Sequence, residues 1–291
     1  MCSINCRYRI LEKLKPGSFG KILLGIDKET NKKVIMKLTK SNNVMLYKES
    51  KIYIILKNTN ITPRFYNYKT SKKHDLMILE YYGHDLNYWL SQQRNLNDYC
   101  DILFNHFDLN TTLIIAYGLI KILKVLHHYN IIYHDIKPDN FLIDNINNLT
   151  FENINNHLKI IDFGLSEQLT EEQLKQTDYI NNSEKGMISG TIRYCSKNAY
   201  NGYEQTYKDD FESIIYLIVY LYQGYLPWQS NLGNNKKDKE KLNPEDFIPN
   251  ELSFLILHFK RNNMLKFNEK LNYSYVLATI KKYYNLINTI R

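Results

Sequence analysis

The polar stretch Tyr133-His134-Asp135-Ile136-Lys137-Pro138-Asp139-Asn140, followed downstream by Asp162-Phe163-Gly164, constrains this chain more than any other feature. Apolar runs at Phe141–Ile143 and Leu158–Ile161 flank the two motifs and read as short strands. A carboxylate at Asp135 can take or orient a hydroxyl proton. An amide at Asn140 and a carboxylate at Asp162 can hold the cations that neutralise phosphates. An Asp-Phe-Gly turn alone would say little. The ordered pair points to phosphoryl transfer.

The rest of the chain divides around these motifs. Strand-like runs at Tyr8–Leu14, Lys21–Ile26 and Lys33–Lys40 predict an antiparallel sheet, broken by Pro16-Gly17-Ser18-Phe19-Gly20 and the turn-rich Asp27–Asn31. Residues 44–57 have a helical period, and strands are expected again at Arg64–Lys69 and Leu76–Glu80. From Leu86 onward the pattern is helical, over 86–93, 111–129, 209–224, 251–263 and 273–287. The Asn-rich segment Asn145–Asn156 reads as an exposed loop. An α+β chain with a β-rich first part and a mainly helical second part fits this order.

A glycine-containing turn such as Gly17-Ser18-Phe19-Gly20 lets exposed backbone N–H groups approach phosphate oxygens. By itself such a hairpin is commonly just a turn. Its meaning comes from Lys37, seventeen positions beyond Gly20 on the next strand, and from Glu49 on the helix that follows. A long ammonium side chain loses rotamer freedom when held in one pose, and a partner carboxylate can hold it there.

Composition excludes little. With 291 residues, 44% of them hydrophobic, the chain can bury a large core. The net charge of +8 favours acidic partners, but the basic residues are scattered and no specific nucleic-acid site is evident. The one dense run, Lys236–Lys241, alternates in sign and reads as a solvated loop. Cys2, Cys6, Cys100 and Cys195 form no CxxC pair, which suggests a reducing, cytoplasmic or nuclear compartment. No signal peptide is expected, and position 2 is Cys where myristoylation needs Gly. The apolar segments Leu113–Leu126 and Ile214–Tyr222 read as buried helices, so no membrane association is expected.

Taken together, these motifs resemble eukaryotic-type Ser/Thr protein kinases, and most closely the casein kinase I family. The likeness rests on Glu49-Ser50-Lys51-Ile52-Tyr53, Asp135–Leu142 and Ile161-Asp162-Phe163-Gly164-Leu165. It extends through Gly190-Thr191-Ile192-Arg193-Tyr194, Gly202-Tyr203-Glu204-Gln205, Asp209-Asp210-Phe211-Glu212-Ser213 and Leu226-Pro227-Trp228-Gln229, with Ser196-Lys197-Asn198 where most kinases carry Ala-Pro-Glu. The resemblance implies a two-lobed protein-kinase fold in a single domain over 1–291, with an N-lobe of about 8–82 and a C-lobe of about 83–288. It implies ATP and Mg²⁺ as cofactors, protein substrates of acidic character, and a monomer.

Carried over residue by residue, the family makes Asp135 the base and lets Lys137 neutralise the transferred phosphoryl group. Asn140 and Asp162 would bind Mg²⁺, and Lys37 and Glu49 would position the nucleotide. Gly17, Ser18, Phe19 and Gly20 would cover its phosphates. The adenine would meet Leu14, Ile22, Ile35, Leu142 and Ile161, with Leu79 as gatekeeper and backbone groups of Glu80 and Tyr82 as hinge contacts. Asp210 would brace the catalytic-loop backbone, a role compatible with its being a helix N-cap. The alternative is a kinase-like nucleotide-binding scaffold with little activity. Such chains usually lack the lysine, the base or a metal ligand, and all are present here.

Several positions depart from the family. Lys15 replaces the first glycine of the phosphate loop, and Tyr133 stands where His is usual. The family has basic residues where this chain has His134, Glu167 and Gly186, with only Lys185 nearby to compensate. Those residues form a pocket for a phosphorylated residue upstream of the target. Arg–phosphate pairing is bidentate, and a neutral His cannot reproduce it. Weakened recognition of phospho-primed substrates is therefore expected.

Overall fold

Alternation along the first strands sorts their side chains onto two faces. In the computed structural model, which describes residues 7–14, 20–93, 105–179, 190–229, 239 and 241–289, β1 (Tyr8–Lys13), β2 (Lys21–Asp27), β3 (Lys32–Lys40), β4 (Phe65–Thr70) and β5 (His74–Glu80) form one antiparallel sheet of order β1-β2-β3-β5-β4. Opposed residues in a ladder point to the same side, and side chains alternate along each strand. Leu23, Val34, Met36 and Ile78 therefore pack together on one face, joined by Tyr8, Leu38, Tyr66 and Leu76. The registers Ile22↔Lys37, Leu24↔Ile35, Ile35↔Leu79 and Lys37↔Met77 place the other set on the opposite face.

Helix α1 (Val44–Leu56) follows β3. It starts where Asn43 accepts a hydrogen bond from Leu46 N at 2.8 Å, while the Asn43 N–H donates to buried Asp75 at 2.8 Å. Its buried side carries Leu46, Glu49, Ile52, Tyr53 and Leu56. The chain groups into two compact units. One comprises Met1–Gly83 with Lys159–Gly164, and the other His84–Leu158 with Leu165–Arg291. The short stretch holding Asp162 thus belongs with the sheet.

The second unit is mainly helical: α2 (Leu86–Ser91), α3 (Leu109–His128), α4 (Ile154–His157), α5 (Lys197–Tyr200), α6 (Tyr207–Gln223), and the helices Pro244–Phe247, Phe254–Asn263 and Tyr273–Thr289. Asp108 caps α3 by accepting from Thr111 N, which starts the helix two residues before the periodicity suggests. Among the described residues α3 is the one helix long and apolar enough to cross a membrane, but two-thirds of its apolar window is buried against the unit's own core. Ile214–Tyr222 likewise lies within α6, most of whose residues are buried.

Three expectations need correction. Asn145–Asn156 is not simply an exposed loop. Its end winds into α4, Leu149 and Ile154 are buried, and Phe151 stacks edge-on against Tyr117 of α3 and Tyr284 of the last helix. Apolar side chains in this segment give it surface to bury, which its many asparagines conceal. Lys239 is not solvated. It is buried over the rings of Tyr216 and Trp228, its ammonium donating to the carbonyls of Ile192 and Cys195. The remainder of that run at 236–238 and 240 lies outside the described residues. The N-cap of α6 is Thr206, whose N–H is accepted by Asp209 at 2.8 Å, so Asp210 is not the cap.

Candidate active site

In the first unit the face of the sheet opposite the core carries Ile22, Ile35, Lys37 and Leu79, the last almost fully buried. Lys37 Nζ donates to Glu49 Oε1 at 2.6 Å and to Asp162 Oδ1 at 3.1 Å. Burial disfavours the ammonium, but the carboxylates of Glu49 and Asp162 outweigh it and hold the Lys37 pKa above its ordinary value. Gly20, Ile22, Lys37, Met45, Glu49 and Asp162 border one pocket of this unit. Asp162 sits in the left-handed region at φ 64, which a short polar side chain tolerates.

Other expected nucleotide contacts belong to the same unit. Leu14 N donates to Ile22 O at 2.9 Å and closes the β1–β2 ladder. A Cβ at Gly20 would meet Leu38 O at 2.4 Å, so β3 alone already demands glycine there. Glu80 N donates to Arg64 O at 2.8 Å, which commits that N–H. The Tyr82 ring lies 5.5 Å from the Lys159 ammonium. Ile161 is half-buried next to Asp162. Lys15, Gly17, Ser18 and Phe19 lie outside the described residues.

In the second unit the catalytic-loop residues converge on one carboxylate. Asp135 Oδ2 accepts from Lys137 Nζ at 2.5 Å and from Asn140 Nδ2 at 3.2 Å, and the same Nδ2 donates to Asp135 O at 2.8 Å. Thr191 Oγ1 donates to Asp135 Oδ1 at 2.8 Å. Glycine makes that approach possible: a Cβ on Gly190, at φ 92, would come within 2.4 Å of His134 O. Leu142 follows on the short strand Phe141–Ile143, half-buried.

Asp210 braces the loop as the family implies. Its Oδ2 accepts from Tyr133 N at 2.6 Å and its Oδ1 from His134 N at 2.9 Å. The segment after Tyr194 is tied to α6 as well: Ser196 Oγ donates to Asp209 at 2.7 Å, and Lys197 N to Glu212 at 2.8 Å. Trp228 Nε1 donates to Arg193 O at 2.8 Å.

His134 is buried against a carboxylate. Its Nε2 lies 3.5 Å from Glu167 Oε1, brought near because Glu167 pairs with Ile132 across a two-residue ladder. Burial works against its charge, but Glu167 and Asp210 outweigh it and raise the His134 pKa. The backbone there is left-handed at φ 69. Lys185 and Gly186 lie outside the described residues.

Sequence reasoning did not single out Thr191 as a partner of Asp135, nor His127 as a partner of Asp210 and Tyr273 as a partner of His127. The first pairing joins residues 56 positions apart, and the others join separate helices. No local pattern records such contacts.

The donor set fits the expected cofactors. With Asn140 Nδ2 committed to Asp135, its Oδ1 is left as a hard oxygen donor, and the Asp162 carboxylate is one-third exposed; both suit Mg²⁺. The Lys37 ammonium suits a phosphate.

Comparison with known proteins agrees with this geometry. Residues 8–274 match the protein kinase domain. The casein kinase I homolog RAG8 of Kluyveromyces lactis is 32% identical over 242 residues, which cover 82% of this chain and 42% of that protein. The chain therefore spans less than half the length of this curated relative. The sheet-rich first unit and helical second unit correspond to the two lobes of the kinase fold, and with the match covering most of its length the chain belongs to the protein kinase family.

Proposed function

We propose that this protein transfers the γ-phosphoryl group of ATP to Ser or Thr hydroxyls of protein substrates, in the manner of casein kinase I. The observation that carries this reading is Lys37 held by Glu49 and Asp162, which presents a fixed ammonium beside a carboxylate able to take a metal. Bound Mg²⁺ would neutralise phosphate charge, held by Asp162 and Asn140. Lys37 orients the phosphates, and Leu14, Ile22, Ile35, Leu79, Leu142 and Ile161 supply apolar contacts for the base. The Glu80 carbonyl and the Tyr82 backbone would read its edge. Asp135 orients the acceptor hydroxyl and takes its proton, while Lys137, two residues on as in Ser/Thr kinases, balances charge on the phosphoryl group. Asp162→Asn should remove Mg²⁺-dependent ATP binding measured by calorimetry; binding of wild-type strength would refute the metal assignment.

Recognition of phospho-primed substrates is weakened on this reading. The His134 ring that stands where the family has a basic residue is already faced by Glu167, whose carboxylate would repel a phosphate. Exposed Arg193, its guanidinium 5.7 Å from the Tyr220 ring, remains for acidic segments. Turnover of one peptide with and without phosphoserine three residues upstream of the target tests this. Similar rates are expected, and a large gain from priming would sink the idea.

A further inference from the structure

The Asp210 carboxylate that holds the catalytic loop is itself held by a buried chain of side chains from three helices. His127, near the end of α3, places Nε2 3.2 Å from Asp210 Oδ2, and its Nδ1 meets the Tyr273 hydroxyl at the start of the last helix. His127 and Asp210 are at most 1% exposed, and Tyr273 is 6% exposed. None of these groups can exchange its partner for water without opening the fold.

The chemistry of the three groups fixes who donates to whom. Burial lowers the pKa of His127, so the ring is neutral and carries one proton. Burial also pushes the Tyr273 phenol well up, so its hydroxyl keeps its proton. A carboxylate only accepts, so the proton on His127 belongs on Nε2, facing Asp210. Nδ1 is then the acceptor of the Tyr273 hydroxyl. The hydrogen bond made by one ring nitrogen selects the tautomer that serves the other.

We infer that Tyr273 is a positioning residue for the transfer reaction, acting through the His127 tautomer and Asp210 on the backbone of Tyr133 and His134. Without its hydroxyl, Nδ1 is a buried acceptor with no donor, and the ring gains reason to shift tautomer or turn. Asp210 Oδ2 then loses one of its two donors and keeps only Tyr133 N. The amides it fixes immediately precede Asp135, so slack there displaces the base. Buried polar networks of this kind are stiff only while every member is satisfied. This inference rests on reading Asp135 as the base, but the coupling of Tyr273 to the loop can be measured without any turnover.

The test is amide hydrogen exchange of the peptide spanning Ile132–Asp135 in Tyr273→Phe, His127→Gln and His127→Leu, with Phe259→Leu as a control. Phe259 is buried among Tyr216 and Phe247, away from the chain of side chains described here, and its truncation also costs stability. Exchange of the loop should quicken about tenfold in Tyr273→Phe and His127→Leu, beyond any change in Phe259→Leu. His127→Gln, whose amide can still donate to Asp210 and accept from Tyr273, should stay near wild type. In steady-state assays Tyr273→Phe should lower kcat about tenfold with KM for ATP unchanged. Loop exchange in Tyr273→Phe that matches the Phe259→Leu control would overturn the inference. Absence of transfer by the wild type would instead overturn the kinase reading and leave the exchange result to decide the coupling.

Discussion

Thr191 Oγ1 donates to Asp135 Oδ1 at 2.8 Å, joining the loop before α5 directly to the carboxylate assigned as base. The hydroxyl holds one oxygen while Lys137 and Asn140 occupy the other. A hydrogen bond to a charged group is worth about 1.5–3 kcal/mol. Thr191→Val, which keeps the shape, should therefore reduce kcat by about ten- to a hundredfold. Thr191→Ser should restore most of it. Equal activity in Val and Thr proteins would show that Asp135 does not depend on this contact.

Lys37 and Glu49 form a pair of which the carboxylate side chain is only 4% exposed. Removing one partner of a buried pair costs about 3–5 kcal/mol when the other must stay charged. Lys37→Met should abolish transfer and lower Tm. Adding Glu49→Gln should recover part of the lost stability but none of the activity, a non-additive pair in a double-mutant cycle. Stability losses that simply add would mean the two side chains are not coupled as drawn.

Much of this was legible in the chain itself. The strands around Lys37 declare themselves because one face must be apolar and period two leaves no other register. Asp135, Asn140 and Asp162 stand at the spacings of a protein-kinase domain, the family that residues 8–274 match. What was not legible is set by distance. Lys239 looks like one member of a charged run, and only the rings of Tyr216 and Trp228 and two carbonyls reveal it as a buried cation. Glu167 looks like an isolated departure until the ladder with Ile132 brings it against His134. The segment Asn145–Asn156 hides its anchors, Phe151 and Ile154, among asparagines.

The buried Lys239 should matter to the loop it caps. Its burial lowers the ammonium pKa, yet the Ile192 and Cys195 carbonyls give it partners. Lys239→Met preserves length and apolar stem but removes the donor. The expected result is a lower Tm and a raised KM for protein substrate, with KM for ATP unchanged. A shift confined to the ATP constant would contradict the placement of this side chain.

His258 offers a pH signature. Burial, helped by Arg261, holds its imidazole down to about 4 from an ordinary 6.5, and neither ring nitrogen has a hydrogen-bond partner. Above pH 6.5 the ring is neutral folded or unfolded. As pH falls from there towards 4 the unfolded chain gains a proton that the folded one refuses, so stability is lost across that window. His258→Phe should show a smaller fall in Tm than the wild type over this range. Parallel curves would place the acid sensitivity elsewhere.

The central claim is that Asp135 serves ATP-dependent phosphoryl transfer to protein hydroxyls. The most direct test is transfer of ³²P from [γ-³²P]ATP with Mg²⁺ to casein and to the protein itself, run beside Asp135→Asn. The account predicts phosphoserine or phosphothreonine with the wild type and none above background with Asp135→Asn. Equal labelling by both proteins, or none by a wild type that binds Mg²⁺–ATP, would contradict it.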